Sequence, residues 1–205
     1  MSIETLNSIK LAFQMSANLS NTLADGSTSG GATIPNINWK PPLKNGVGPN
    51  LADRSHAIKG TLTAGQSINI DLYNMGGTST GIDIGAGKGL DALGQALKLE
   101  EIVAIAIINN NTIGASGTLE ITPAVSNGWS SIGTHTNATG GELRSQGILL
   151  KANPDVPGFP VGISDANDQI TLKAVGGSVD YIVGLIARSW LESSSSMYVH
   201  EGDIN

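Results

Sequence analysis

Residues 85–89, Gly-Ala-Gly-Lys-Gly, are the stretch of this 205-residue chain that comes closest to a phosphate-binding loop. Such a loop needs a glycine, four further residues and then Gly-Lys-Ser/Thr, because its amides and lysine hold the phosphates and its hydroxyl binds magnesium. Ile82 stands where the first glycine belongs, and Gly89 stands in place of the hydroxyl residue. The stretch therefore predicts a flexible glycine loop and no nucleotide site.

The residues that most often bind metals are scattered in this sequence. His56, His135 and His200 lie far apart, and none has a second ligand at a spacing typical of metal sites. Residues 165–168, Asp-Ala-Asn-Asp, bring oxygen ligands together but lack the glycine and the distal glutamate of a calcium-binding EF-hand loop. A turn stabilised by its own Asp and Asn side chains fits them better. The sequence predicts no metal and no cofactor.

No arrangement of residues predicts nucleophilic or acid–base catalysis. Ser116 follows Gly114-Ala115, but Thr118 stands where a nucleophile elbow needs its second glycine. The chain contains no cysteine, which excludes disulfides, thiolate metal sites and cysteine nucleophiles. No spacing indicates a catalytic pair of carboxylates. We therefore expect a protein that is not an enzyme.

The composition is typical of a turn-rich all-β protein. Glycine is abundant, with 27 residues, whereas only 14% of residues are charged and 4% are aromatic. The net charge of −6 and the scattered lysines and arginines argue against binding to nucleic acid or to an acidic membrane. No stretch is apolar enough to span a membrane, and residues 1–5 lack the basic start of a secretory signal. We expect synthesis in a reducing cytoplasm.

The chain is organised around residues 99–123 and a late partner, residues 177–190. Residues 101–108 form an almost unbroken apolar run rich in β-branched residues, which predicts a central strand buried on both faces. Residues 179–186 predict a second buried strand. Because the fold must bring these distant strands together, the pattern favours a β-sandwich over a series of βαβ units. Further strands are predicted at 56–63, 66–74, 118–122, 143–151 and 170–175.

The predicted core consists of the regularly spaced apolar residues of these strands. They are Leu62, Ile68, Ile70, Leu72, Val103, Ile105, Ile107, Leu119, Ile121, Leu149, Ile170, Leu172, Ile182, Val183 and Leu185.

The first fifty residues differ from the rest in composition. Residues 9–19 alternate between apolar and polar types and favour a strand, although apolar residues near the start would also share one face of a helix. Residues 21–50 are rich in glycine and proline and cannot form a core of their own. This stretch contains the isolated apolar residues Ile34, Ile37 and Trp39, which indicate that it lies along the surface of another part of the protein or of a partner. The alternative interpretation is a plain flexible linker. We expect an extended N-terminal arm at 1–50, a β-sandwich domain at 51–190 and a polar C-terminal tail at 191–205.

Several weak motifs follow one another along the chain. They are Ala-Asp-Arg-Ser-His at 52–56, the strands within 60–72, Leu-Gly-Gln-Ala-Leu at 93–97, the apolar strand ending at Asn109, and the segments 149–151, 169–172 and 179–186. Their order resembles that in small structural proteins of tailed bacteriophages that decorate or cement the capsid. The resemblance covers about residues 51–188, with a looser echo at 10–23. It implies a jelly-roll-like β-sandwich that forms a homotrimer on the outside of an icosahedral shell, and it implies no catalytic residue.

On this resemblance we expect a virion protein that stabilises the shell from outside, with the major capsid protein as its partner. Ile34, Ile37 and Trp39 are the candidate capsid contacts, because apolar anchors carry most of the energy of an interface. A phage tail or baseplate adaptor is an alternative. A carbohydrate-binding module is a second alternative, in which Trp129 and Trp190 would stack on sugars, although packing anchors are the preferred interpretation of both.

Overall fold

The computed structural model describes residues 13–22, 28–39, 43–45, 49–75, 77–78, 98–162 and 167–189, and for 13–22, 28–39, 45 and 77–78 it describes the backbone alone. Within these residues the chain forms β-strands and two single-turn 3-10 helices, Ser130–Ile132 and Asn137–Thr139. The predicted glycine loop at 85–89, Trp190 and the predicted tail at 191–205 lie outside the described residues. No helix in the described ranges is long and apolar enough to cross a membrane.

The described strands follow the predicted order from residue 51 onwards. They are β1 (Phe13–Thr22), β2 (Thr28–Trp39), β3 (Lys44–Asn45), β4 (Leu51–Ala52), β5 (Arg54–Leu62), β6 (Ser67–Asp71), β7 (Gly77–Thr78), β8 (Glu101–Asn109), β9 (Thr118–Pro123), β10 (Ile148–Ala152), β11 (Phe159–Pro160), β12 (Gln169–Val175) and β13 (Val179–Arg188).

Two antiparallel sheets form the body of the protein. The five-stranded sheet has the order β10-β8-β13-β5, and β11 also pairs with β8. The four-stranded sheet has the order β7-β6-β12-β9. Apolar residues of both sheets share one buried cluster, so the sheets pack against each other. The fold is an all-β sandwich, which confirms the predicted class.

The two segments predicted to organise the chain pair with each other. β8 and β13 are antiparallel neighbours, from Tyr181 opposite Asn109 to Arg188 opposite Glu101. The register shifts by one residue beside Val103, which forms a β-bulge. As a result Val103 turns away from the main core and is buried in a second, smaller cluster.

The main core lies between the sheets and contains most of the predicted residues. Val103 is buried as predicted, although it belongs to the second, smaller core cluster. The prediction is wrong for Ile182, which lies on the opposite side of the five-stranded sheet and is half-buried. Leu149 is only partly buried and packs on the edge of the core. The core also includes Ile102 and Trp129, and Trp129 is fully buried, as its interpretation as a packing anchor predicts.

Asn109 is a buried polar residue at the end of β8. Its side-chain amide donates to the carbonyl oxygens of Gly117 (3.0 Å) and Leu143 (2.9 Å). Its Oδ1 accepts a hydrogen bond from the backbone N–H of Asn111. The sequence shows only that an apolar strand ends at Asn109, whereas in the structure the buried amide bonds two connecting segments to the end of this central strand.

The N-terminal segment contains a β-hairpin. β1 overlaps the strand predicted at 9–19 and pairs antiparallel with β2. No strand is predicted within 21–50, where β2 lies, because Gly30, Gly31 and Pro35 have low strand propensity. The register of the pairing shifts between Ile34 and Ile37, which indicates a β-bulge that contains Pro35. A bulge accommodates a proline because the proline cannot donate a backbone hydrogen bond to the neighbouring strand.

Two substitutions test the division between the core and the outer side of the five-stranded sheet. Ile105→Asp is expected to abolish soluble folding, because an unpaired carboxylate in an apolar core costs several kcal/mol against a total stability of roughly 5–15 kcal/mol. The sequence alone predicts the same for Ile182→Asp, but its half-buried position on the outer side predicts a soluble, folded variant. Soluble yield and thermal melting compare the two, and equal loss of folding would contradict this placement.

Candidate interaction surface

The outer face of the five-stranded sheet, the side away from the core, has an apolar middle and polar margins. Its strand registers align three rows of outward positions across β10, β8, β13 and β5. Within these rows Lys59 and Ser55, both on β5, are polar, and the next row along β13 and β5 places Asp180 opposite Thr61. The rows are Ile148, Ile108, Ile182 and Lys59; then Leu150, Ala106, Gly184 and Ala57; then Ala152, Ala104, Ile186 and Ser55. We call the apolar members of these rows the outer patch.

The outer patch lacks a complete cover. Ile148 is 56% exposed, Ala57 is exposed, and most other members are half-buried. An antiparallel sheet with one face in water normally alternates apolar and polar residues, and β8 and β13 do not. The prediction that β8 is buried on both faces is therefore only partly correct, because its outer side at Ala106 and Ile108 is half-buried. A partly exposed apolar surface of this kind is a candidate interaction site.

A shallow depression of about 250 Å³ lies on the outer patch. Small residues form its centre, and a Cβ added at Gly184 would meet no heavy atom within 4 Å. Burial lowers the pKa of His56 below its usual value, so this neighbour is neutral at pH 7. The depression suits bulky apolar side chains and carries no group for chemistry. Its lining residues are His56, Ala104, Ala106, Leu150, Gly184, Leu185 and Ile186.

The N-terminal segment joins the body at the margin of the outer patch. Leu43 packs in the small cluster with Ala52 and Val103, and Ile186 of the patch packs against the same cluster. β3, which follows Leu43, pairs in parallel with β4. The chain that precedes Leu43 is therefore attached beside the patch.

Arg188 fastens this attachment point to the central strands. Its guanidinium is buried and lies 2.6 Å from Oε2 of Glu101 on β8. The same group donates to the carbonyl oxygens of Leu51 (2.8 Å) and Pro154 (2.6 Å). The other oxygen of Glu101 accepts from the backbone N–H of Gly158. These bonds hold β4, β8, β13 and the 153–158 turn as one unit.

The three candidate capsid contacts lie on one face of the hairpin. Ile34, Ile37 and Trp39 all belong to β2. Directly opposite residues of an antiparallel pair share a face, so the register assigns each of them an apolar neighbour. The opposite face carries the polar pairs Gln14–Asn38 and Asn18–Thr33. The apolar pairs, which we call the hairpin face, are Phe13–Trp39, Met15–Ile37, Ala17–Ile34 and Leu19–Ala32.

Among the residues that the structure describes, the remaining candidates form no second site. Trp129 is buried, donates from Nε1 to the carbonyl oxygen of Pro160 (2.8 Å), and contacts Phe159 edge to face. It therefore offers no stacking surface for a sugar. His135 bonds to the carbonyl oxygen of Ile132. In the part of the chain that the structure describes, no group of three or more His, Asp or Glu residues could hold a metal ion.

Comparison of this chain with protein-family models, with curated proteins and with solved structures finds no match.

The buried ion pair gives a testable stability difference. Arg188→Leu is expected to cost about 3–5 kcal/mol in the free energy of unfolding, because it leaves the Glu101 carboxylate without its partner. Lys173→Leu is the matched control, because Lys173 is 50% exposed and its Nζ lies 3.9 Å from Oε2 of Glu120, a carboxylate about as exposed as that of Glu101. The control should cost less than about 1 kcal/mol. Urea denaturation measures both, and equal costs would show that Arg188 does not fasten the strands.

Proposed function

We propose that this protein is a structural virion protein that binds the outside of a phage capsid and stabilises the shell as a homotrimer. The major capsid protein is its partner. The observation that carries the proposal is the outer patch, a partly exposed surface of isoleucine, leucine and alanine that a partner would cover. The resemblance of residues 51–188 to decoration proteins supports the same function.

The chemistry of the surface favours binding over catalysis. The depression on the outer patch is lined almost wholly by aliphatic side chains, and His56 beside it is neutral at pH 7. A binder that repeats over a shell can act through modest contacts. Each copy bridges subunits that would otherwise separate one at a time, so weak contacts add up to a large effect.

The strand order supports a jelly roll as the finer description of the sandwich. From β8 to β13, the main strands alternate between the two sheets: β8, β10 and β13 lie in one, and β9 and β12 in the other. β5 and β6 are divided in the same way. Such alternation is typical of the double Greek key. Beside β9, where an eighth strand would lie, the backbone makes two isolated bridges, at His135 and Leu143.

The hairpin is the element that supplies the binding contact in this proposal. Its apolar face contains Ile34, Ile37 and Trp39, the candidate capsid contacts. An isolated two-stranded hairpin is at best marginally stable in water, so its apolar face requires a partner surface. That surface belongs to the shell or to another copy of this chain.

The two alternative functions, a tail or baseplate adaptor and a carbohydrate-binding module, are supported to different degrees. A tail or baseplate adaptor would use the same apolar surfaces and differs only in its location on the particle. A carbohydrate-binding module loses its first platform, because Trp129 is buried and hydrogen-bonded. Trp190, its second platform, lies outside the described residues.

Particle stability tests the proposed function. Particles that lack the protein should release DNA at a lower temperature or after a milder osmotic shock than complete particles. Added wild-type protein should restore resistance, and Ile37→Asp should not, because it places a charge on the hairpin face. Asn38→Asp is the matched control on the polar face and should behave as wild type. If depleted particles withstand heat as well as complete ones, cementing is the wrong function and the tail adaptor takes its place.

The homotrimer is tested in solution. Light scattering of the purified protein at micromolar concentration is expected to give about three times the chain mass of 21.0 kDa. Gly184→Glu should lower this mass, because it places a charge on the outer patch without a steric clash in the body. A wild-type protein that remains a monomer under these conditions would contradict the trimer.

A further inference from the structure

Asn127 and Gly128 form an asparagine–glycine pair in the turn that joins β9 to the buried Trp129. Asn127 has a φ of 58°, in the left-handed region that asparagine tolerates better than most residues. We propose that Asn127 is a site of spontaneous deamidation, and that its isoaspartyl product detaches this turn from β12. The inference is independent of the proposed function.

The reaction joins two neighbouring groups of the chain and needs only water. The backbone nitrogen of Gly128 gives up its proton to hydroxide and attacks Cγ of the Asn127 side chain. The side-chain nitrogen takes up a proton and leaves as ammonia, so that a cyclic succinimide remains. Water then opens the ring at either of its two carbonyl groups, which yields aspartate from one opening and isoaspartate from the other.

Both reacting groups are available in the folded protein. Among the described residues, no partner is hydrogen-bonded to the side chain of Asn127 or to the backbone N–H of Gly128. Gly128 has no Cβ that would crowd the attacking nitrogen. The preceding residues Val125 and Ser126 are exposed, so the turn lies at the surface, where local opening is easiest.

Asn167 provides a comparison within the same chain. It has the same left-handed conformation, with a φ of 57°. Its Oδ1, however, accepts hydrogen bonds from the backbone N–H (3.0 Å) and the hydroxyl (3.3 Å) of Ser130. The backbone N–H of the next residue, Asp168, donates to the carbonyl oxygen of Asn127 (2.8 Å). Because its side-chain amide and the attacking nitrogen are both held, we expect Asn167 to react more slowly than Asn127.

The carbonyl oxygen of Asn127 connects the turn to the start of β12. It accepts hydrogen bonds from the backbone N–H groups of Asp168 (2.8 Å) and Gln169 (2.9 Å). Ring closure rotates this carbonyl away from both donors, so the reaction proceeds when the turn opens locally. In isoaspartate the backbone runs through Cβ and is longer by one methylene, so the two hydrogen bonds are not restored while Trp129 stays in the core. Ordinary aspartate keeps the original backbone and both bonds.

Ageing of the purified full-length protein tests the inference. The protein is incubated at mildly alkaline pH under native conditions, and its peptides are mapped by mass spectrometry with chromatographic separation of aspartate from isoaspartate. We expect the peptide that contains Asn127 to lose ammonia, to gain water and to contain isoaspartate, and the peptide that contains Asn167 to react more slowly. Aged protein should melt several degrees below fresh protein, because two backbone hydrogen bonds are lost.

Two variants are the matched controls. Asn127→Gln should keep its melting temperature on ageing, because glutamine forms the cyclic imide far more slowly. Asn127→Asp reproduces the ordinary aspartyl product and should melt close to fresh wild-type protein. Gly128→Ala is unsuitable, because its Cβ would lie 2.2 Å from the carbonyl oxygen of Ala124.

Three outcomes would overturn the inference. The first is a rate of deamidation at Asn127 no higher than that at Asn167 in the folded protein. The second is aged protein that contains isoaspartate at position 127 and melts as fresh protein does. The third is an equal loss of stability in aged Asn127→Gln protein, which would assign the change to another residue. None of these outcomes bears on particle stability, so the inference and the proposed function fail separately.

Discussion

The pairing of β8 with β13 is the interaction on which the rest of the structure depends. It joins two strands that lie far apart in the sequence and are apolar on both sides. Their inner sides form the centre of the core, and their outer sides form the middle of the outer patch. β5 and β10 add to the two edges of this pair, and the attachment of the hairpin depends on the bulge at Val103. The same strands thus determine both the stability of the sandwich and the composition of its outer patch.

Much of the body could be predicted because its strands follow simple apolar patterns. Alternation identifies β6, β9 and β12, and the apolar runs identify β8 and β13. The sequence cannot distinguish Ile105 from Ile182, since both lie in apolar runs. Which side of a two-sided apolar strand is covered depends on the second sheet and on the bulge, and both are properties of the assembled fold.

The candidate interaction surface was less predictable than the strands, because it arises from the way in which the strands pair. Ile34, Ile37 and Trp39 are visible in the sequence as isolated apolar residues, but only the register with β1 places them on one face. The outer patch combines residues of four strands whose alignment no local pattern specifies. The ion pair between Arg188 and Glu101 could not be predicted either. The two residues lie far apart in the sequence, and no local sequence pattern indicates that they come together.

Arg188 also determines how the sandwich carries mechanical load. A force that pulls on the hairpin is transmitted to the body through Leu43 and β3, and from β3 to its neighbour β4. The guanidinium of Arg188 resists this force because it is hydrogen-bonded to the carbonyl oxygen of Leu51 in β4. That guanidinium is bonded at the same time to Glu101 on β8 and to the 153–158 turn. The force is therefore shared among several buried bonds that must break together before β4 separates from the sheet.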